Sequence, residues 1–167
     1  MRKKLTLSLA ALATVLLTSC GPTKADAIKY NESFISIEKE LTPSYNAFID
    51  QIDGHNLDSL KLTYDAFAAK AKNSVEECGK IQPFAEKKDY LDAANAYFKT
   101  INALAENEGK QMVTIMTKDT SQVTEEDVAN VTKYAEKFDA DYAKVLKLAQ
   151  DAQAAFAKEW KFEIKQD

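Results

Sequence analysis

From Val128 to Phe156 the chain places an apolar residue at every third or fourth position: Val128, Val131, Ala135, Phe138, Tyr142, Val145, Ala149, Ala152 and Phe156. Four heptads in one register confine this stretch to a helix in a left-handed bundle, because a 3.5-residue period keeps one seam turned toward its neighbours. The helix has a marked beginning. Thr124 is placed to cap the backbone N–H of Asp127, and Glu125, Glu126 and Asp127 sit at the positive end of the helix dipole. Val123 is placed to close on Val128 as a hydrophobic staple, and Trp160 and Phe162 are expected to close the far end.

The rest of the chain repeats this design. Only three prolines and four glycines interrupt 167 residues, so long helices follow. A helix from about Lys87 to Thr117 carries Leu91, Ala94, Phe98, Ile101, Ala105, Met112 and Ile115, with Glu108 alone breaking the apolar run. Another from about Leu57 to Gly79 carries Leu60, Tyr64, Phe67, Ala71, Val75 and Cys78, which puts Cys78 on the seam. The first, from about Lys24 to Ile52, contains Pro43, which removes a backbone donor and crowds the preceding turn. A kink or a restart near Thr42 is expected there, with Thr42 capping the second half. Three short connections, Asp53 to Asn56, Lys80 to Glu86 and Lys118 to Val123, force sequential helices to lie antiparallel.

The fold class is therefore all-α, an antiparallel up-down-up-down four-helix bundle with its first helix kinked near Pro43. An even number of such helices returns the chain to the end at which it entered. The Lys80 to Glu86 loop and the C-terminus then share one end, while His55 and Asp119 to Gln122 lie at the other. The fourth helix is the longest, and its last turns are expected to overhang the bundle. Ile35, Ile49 and Leu148, apolar residues beside the seam, either thicken the core or join subunits.

The N-terminus reads as an address. Met-Arg-Lys-Lys precedes an uncharged run from Leu5 to Leu17, the basic and apolar regions of a secretory signal. As a helix the run rises only about 20 Å, short of a bilayer core of about 30 Å. Behind it, Leu17-Thr18-Ser19-Cys20 resembles the lipobox of bacterial lipoproteins. The resemblance implies cleavage of residues 1–19, acylation of the Cys20 thiol and of the new α-amino group, and a membrane partner held through those acyl chains. Residues 20–26 then form a tether and residues 27–167 the bundle domain. Aspartate after the cysteine resembles a signal for inner-membrane retention. Gly21 stands there instead, which favours the outer membrane, on its periplasmic face more than on the cell surface.

Charge and cysteine content narrow the partners. Without Arg2, Lys3 and Lys4 the 22 basic residues fall to 19 against 26 acids, a mature charge of −7. No basic patch is available to neutralise phosphates, so nucleic acid is not an expected partner. With Cys20 consumed by lipid, Cys78 has no partner and no intramolecular disulfide is expected. Stability must come from packing.

Familiar chemistries of helical bundles are missing. Di-iron sites need Glu-x-x-His pairs on two helices and c-type haem needs Cys-x-x-Cys-His, and neither motif occurs. The single histidine, His55, sits in a turn, too little for a zinc enzyme or for a hydrolase needing a placed base. Glu76 with Glu77, Glu125 with Glu126, and Asp139 with Asp141 point in different directions on a helix, so they read as solvated faces. No metal, cofactor or catalytic residue is expected. Glu108 is the one carboxylate at a seam position. It either reaches solvent or a lysine across a wide seam, or marks a ligand pocket inside the bundle.

The chain also resembles an uncharacterised family of small bacterial helical-bundle lipoproteins and surface proteins. The likeness rests on Tyr45-Asn46-Ala47-Phe48-Ile49, the Pro83-Phe84 turn, Thr124-Glu125-Glu126-Asp127, and Ala152-Gln153-Ala154-Ala155-Phe156-Ala157-Lys158 with Phe162 beyond. It implies a tethered bundle outside the cytoplasm and no catalytic residues. The expected function is a non-enzymatic, lipid-anchored envelope protein that meets a protein partner or stabilises an assembly. The alternative is a ligand-binding lipoprotein with its pocket near Glu108.

Overall fold

The computed structural model describes residues 21–54 and 57–164. The expected signal sequence 1–19, the expected lipidation position Cys20, and His55 lie outside the described residues. Four helical rods carry the fold: α1 (Lys24–Asp53), α2 (Leu57–Cys78), a composite third rod, and α5 (Glu125–Glu159). The third rod is α3 (Asp89–Leu104), a π-helical turn (Ala105–Gly109) and α4 (Lys110–Met116) in unbroken succession, followed by a short 3-10 turn at Thr120–Gln122. No strand forms among the described residues; Phe84 and Lys87 make one isolated bridge in the connection.

Both ends of the first rod and the start of the last are set by local hydrogen bonding. At Thr124 the expected capping box is complete: the hydroxyl accepts the Asp127 N–H at 3.1 Å, and the Asp127 carboxylate accepts the Thr124 N–H at 3.0 Å. The same box stands at Thr23, where Asp26 accepts the Thr23 N–H at 3.0 Å. Lys24, Ala25 and Asp26 are therefore the first turn of α1, which starts at Lys24 as the spacing predicts. Val128, expected to open the α5 seam, is 59 % exposed, so the packed stripe starts at the half-buried Val131.

Helix α1 runs through Pro43 without a restart. Pro43 is exposed, and the Thr42 hydroxyl donates back to the Glu38 carbonyl at 2.8 Å, so Thr42 does not cap a second helix. Ser44 likewise donates to the Leu41 carbonyl at 2.7 Å. At the other end of the chain, the last turns of α5 are covered. Phe156 and Ala157 are buried, and Trp160 packs edge-on against Phe84 at 4.9 Å.

The third rod is buried along most of its length, from Tyr90 and Leu91 to Ile115. Its π turn faces Phe48 of α1 and Tyr64 of α2. A Cβ on Gly109 would lie 3.6 Å from the Tyr64 ring and 3.7 Å from Phe48, so a larger side chain there would displace both. The widened turn gives the Ala105 carbonyl two donors, the Lys110 N–H and the Tyr64 hydroxyl at 3.2 Å.

Backbone approach is uneven around the molecule. Helix α1 lies close along α2, and α5 close along α3, whereas α1 and α5 are joined chiefly by side chains. Two aromatic groups span that gap. In one, Tyr30 of α1 meets Phe156 of α5 at 5.5 Å between ring centres, beside Phe34, Phe84 and Tyr90. In the other, Tyr45 stacks on Tyr142 at 5.0 Å and Phe48 stacks on Phe67 at 5.3 Å. Of the apolar residues beside the seam, Ile49 packs on the core and Leu148 is 54 % exposed.

Removing the α5 cap should be measurable. Thr124→Ala is expected to cost about 1 kcal/mol in urea unfolding, with faster amide exchange confined to the first turn of α5. Unchanged exchange at Asp127 and Val128 would contradict the capping role.

Candidate functional site

Glu108 lies in the π turn and is buried, at 8 % exposure. Its Oε1 accepts from Lys137 Nζ of α5 at 2.8 Å, and the same ammonium reaches Asp141 at 2.9 Å. Hydrogen bonding to Glu108, and next to Asp141, raises the Lys137 pKa above the ordinary lysine range. The space beside this bridge is an open groove of about 250 Å³ between the third rod and α5, lined also by Lys99, Thr100 and Asn107. The seam carboxylate is thus reached by a lysine from across the groove. The bridge holds one cation between two acids and already satisfies the Glu108 carboxylate.

Cys78, at the end of α2, is fully buried. Burial pushes its thiol up to about 11, far from the thiolate that nucleophilic chemistry requires. It is also remote from Glu108. Tyr64 is the α2 residue at the π turn, and Cys78 follows it by roughly 21 Å of helix rise. The adjacent carboxylates stay apart: Glu77 pairs with Lys80, Asp141 with Lys137, and Glu76, Glu125, Glu126 and Asp139 face solvent. Among the described residues no group of three or more His, Cys, Asp or Glu side chains could hold a metal ion.

A second polar arrangement was not anticipated from the sequence. It runs along the side-chain seam between α1 and α5. The Asn31 Oδ1, buried at 5 % exposure, accepts from the Tyr90 hydroxyl at 2.8 Å and from Gln153 Nε2 at 2.9 Å. Two turns along α1, Glu38 accepts from the Tyr97 hydroxyl at 3.4 Å. Burial raises the Glu38 carboxyl above its ordinary value, against the smaller opposing effect of that hydrogen bond. Burial and the Glu38 charge together push the Tyr97 hydroxyl far up. No ion pair among the described residues involves Glu38.

Between these two polar contacts, α1 and α5 part over α3 and leave a cleft of about 120 Å³. The signal for it was present as spacing. Asn31, Glu38 and Tyr45 recur at sevens on α1, and Tyr90 and Tyr97 do so on α3. Each stripe runs beside an apolar seam and was eclipsed by it.

Two measurements bear on these sites. Glu38 holds its proton more tightly in the folded protein than in the unfolded chain. Its contribution is therefore present below the ordinary carboxyl range and lost as pH rises through the raised folded value. Glu38→Gln should melt higher than the parent near neutral pH, and the gap should close under acid. A variant that melts lower at neutral pH would contradict this sign. For Cys78, alkylation by a thiol reagent should proceed only at the rate of unfolding, whereas rapid labelling of the folded protein would overturn the burial.

Helix α1 and its fellow rods include no stretch long and apolar enough to cross a membrane among the described residues. Comparison of the chain with protein-family models, with curated proteins and with solved structures finds no match in any of the three.

Proposed function

We propose that this chain is a non-enzymatic, lipid-anchored protein of the cell envelope, exported, cleaved before Cys20 and held to the membrane by acyl chains on that residue. The observation that carries the reading is the position of the first cap. Thr23 closes a capping box, so the folded body begins three residues after a cysteine set in Leu17-Thr18-Ser19-Cys20. Only Gly21 and Pro22 separate the anchor position from the cap. Each buried methylene adds about 0.8 kcal/mol, so two or three acyl chains hold a protein to a bilayer durably. Gly21 in place of aspartate supports the outer membrane, periplasmic face.

The body is an antiparallel up-down-up-down four-helix bundle. Supporting this, Tyr30 near the start of α1 meets Phe156 near the end of α5, while Tyr45, later in α1, meets Phe138 and Tyr142, earlier in α5. The first rod bends at Pro43, where the missing donor and the back-bonded Thr42 and Ser44 hydroxyls weaken one side of the helix. In this arrangement the Phe84 loop and the C-terminus face the bilayer, and the 3-10 turn at Thr120–Gln122 faces away.

The body serves as an interaction or structural module toward a protein partner in the envelope. A ligand site near Glu108 has less support, since Lys137 already satisfies that carboxylate.

Expression in a bacterial host fed an alkyne-bearing fatty acid tests the anchor. The parent should take up label and fractionate with membranes, and Cys20→Ala should do neither. Equal membrane retention of an unlabelled Cys20→Ala protein would overturn the reading. Crosslinking of the lipidated protein in its native membrane should recover a defined protein partner.

A further inference from the structure

We propose that the cleft between α1 and α5 binds a small organic ammonium ion, with the Glu38 carboxylate as its counter-charge and the rings of Phe34, Tyr90 and Tyr97 as its walls. The cleft is built by a size pattern. On α3, Ala94 stands between Tyr90 and Tyr97, and Ala149 of α5 lies across from it, so two methyl groups floor a space walled by rings. Its volume, about 120 Å³, compares with the roughly 150 Å³ engineered cavity that accepts benzene. A tetramethylammonium-sized group fits it; a sugar or a nucleotide does not.

Chemistry selects among the small molecules that fit. A neutral apolar guest would cover Glu38 and leave its charge held by the Tyr97 hydroxyl alone, with no counter-ion, which is costly. An anion would be repelled by the same group. Divalent metals take six or more oxygens, or several nitrogen and sulfur ligands, and the cleft offers one carboxylate. An alkylated ammonium satisfies both features: its charge pairs with Glu38, and its methyl groups meet aromatic surface, where cations are attracted to ring faces. No lysine or arginine lines the cleft to compete for Glu38.

The polar contacts at the rim act as positioning groups. Tyr97 donates to Glu38 and orients the carboxylate, and Asn31 fixes Tyr90 by accepting its hydroxyl. Keeping Glu38 half-buried without a cation lowers stability, a common cost at binding sites. The inference stands on the cleft alone and does not depend on acylation of Cys20.

The test is an NMR titration of the full chain with tetramethylammonium chloride, against sodium chloride at matched ionic strength. Saturable shifts of the Ala94 and Ala149 methyl signals are expected. Glu38→Gln, confirmed folded by circular dichroism, should bind about tenfold more weakly, in line with loss of one partly buried charge contact. Ala94→Leu should fill the floor and abolish the shifts while Glu38 remains. tert-Butanol, the neutral analogue in shape, should not saturate the site. Choline free in solution and phosphocholine on detergent micelles then separate a soluble ammonium from a lipid headgroup, and competition by either supports the assignment. Absence of saturation by every ammonium probe, equal binding of tert-butanol, or unchanged affinity in Glu38→Gln would overturn it.

Discussion

The closing of α1 onto α5 through long side chains is the constraint on which the rest of the molecule depends. Neighbouring rods elsewhere bring their backbones together, but here Tyr30, Tyr45, Tyr142 and Phe156 must reach across. Aromatic rings are suited to this, since each covers a wide gap with few rotatable bonds and pairs favourably with another ring. Tyrosine adds a hydroxyl that needs a partner when buried. Where rings meet rings the seam is apolar and closed. At Asn31 and Glu38, side chains from α1 instead take hydroxyl donors from α3, and the seam becomes polar. The cleft lies between those two polar contacts.

Stability is then distributed along the rods. With no disulfide among the described residues, packing of Phe48, Phe67, Phe98 and Phe138 in the interior replaces a covalent staple. The two capping boxes define where α1 and α5 begin, and the Lys87 to Glu159 ion pair ties the 80s connection to the last turn of α5. That exposed pair contributes little by itself. Its value is in marking how the C-terminal turns are covered, by Phe84 and Trp160 as much as by charge.

Much of this was legible in the sequence. The four rods and the Thr124 cap follow from spacing and local chemistry, which depend on a few adjacent residues. The start of α1 near Lys24 follows from spacing as well, whereas the Thr23 box that fixes it was not read. Val128 fits the heptad and yet is exposed, because periodicity describes a face and not whether a neighbour extends far enough to cover it. Pro43 was expected to kink or restart α1, and the helix continues through it without a restart. Glu108 stood out as a polar residue on a seam, while Glu38 did not, because it lies beside one. What decides its surroundings is the distance between α1 and α5, and no single helix encodes that distance.

The π turn at Ala105–Gly109 has a consequence for how the third rod tolerates change in length. An α-helix advances about 100° per residue, and the wide turn takes up one extra residue, so the rod continues beyond it without being turned by that angle. Met112, Val113 and Ile115, beyond the turn, still lie in the core. A chain shortened by one residue at Glu106 or Asn107 would close that turn to an ordinary α-helical one and leave α4 facing the core. The turn thus keeps two halves of one rod in phase, and the Tyr64 hydroxyl on the Ala105 carbonyl is the contact that marks it.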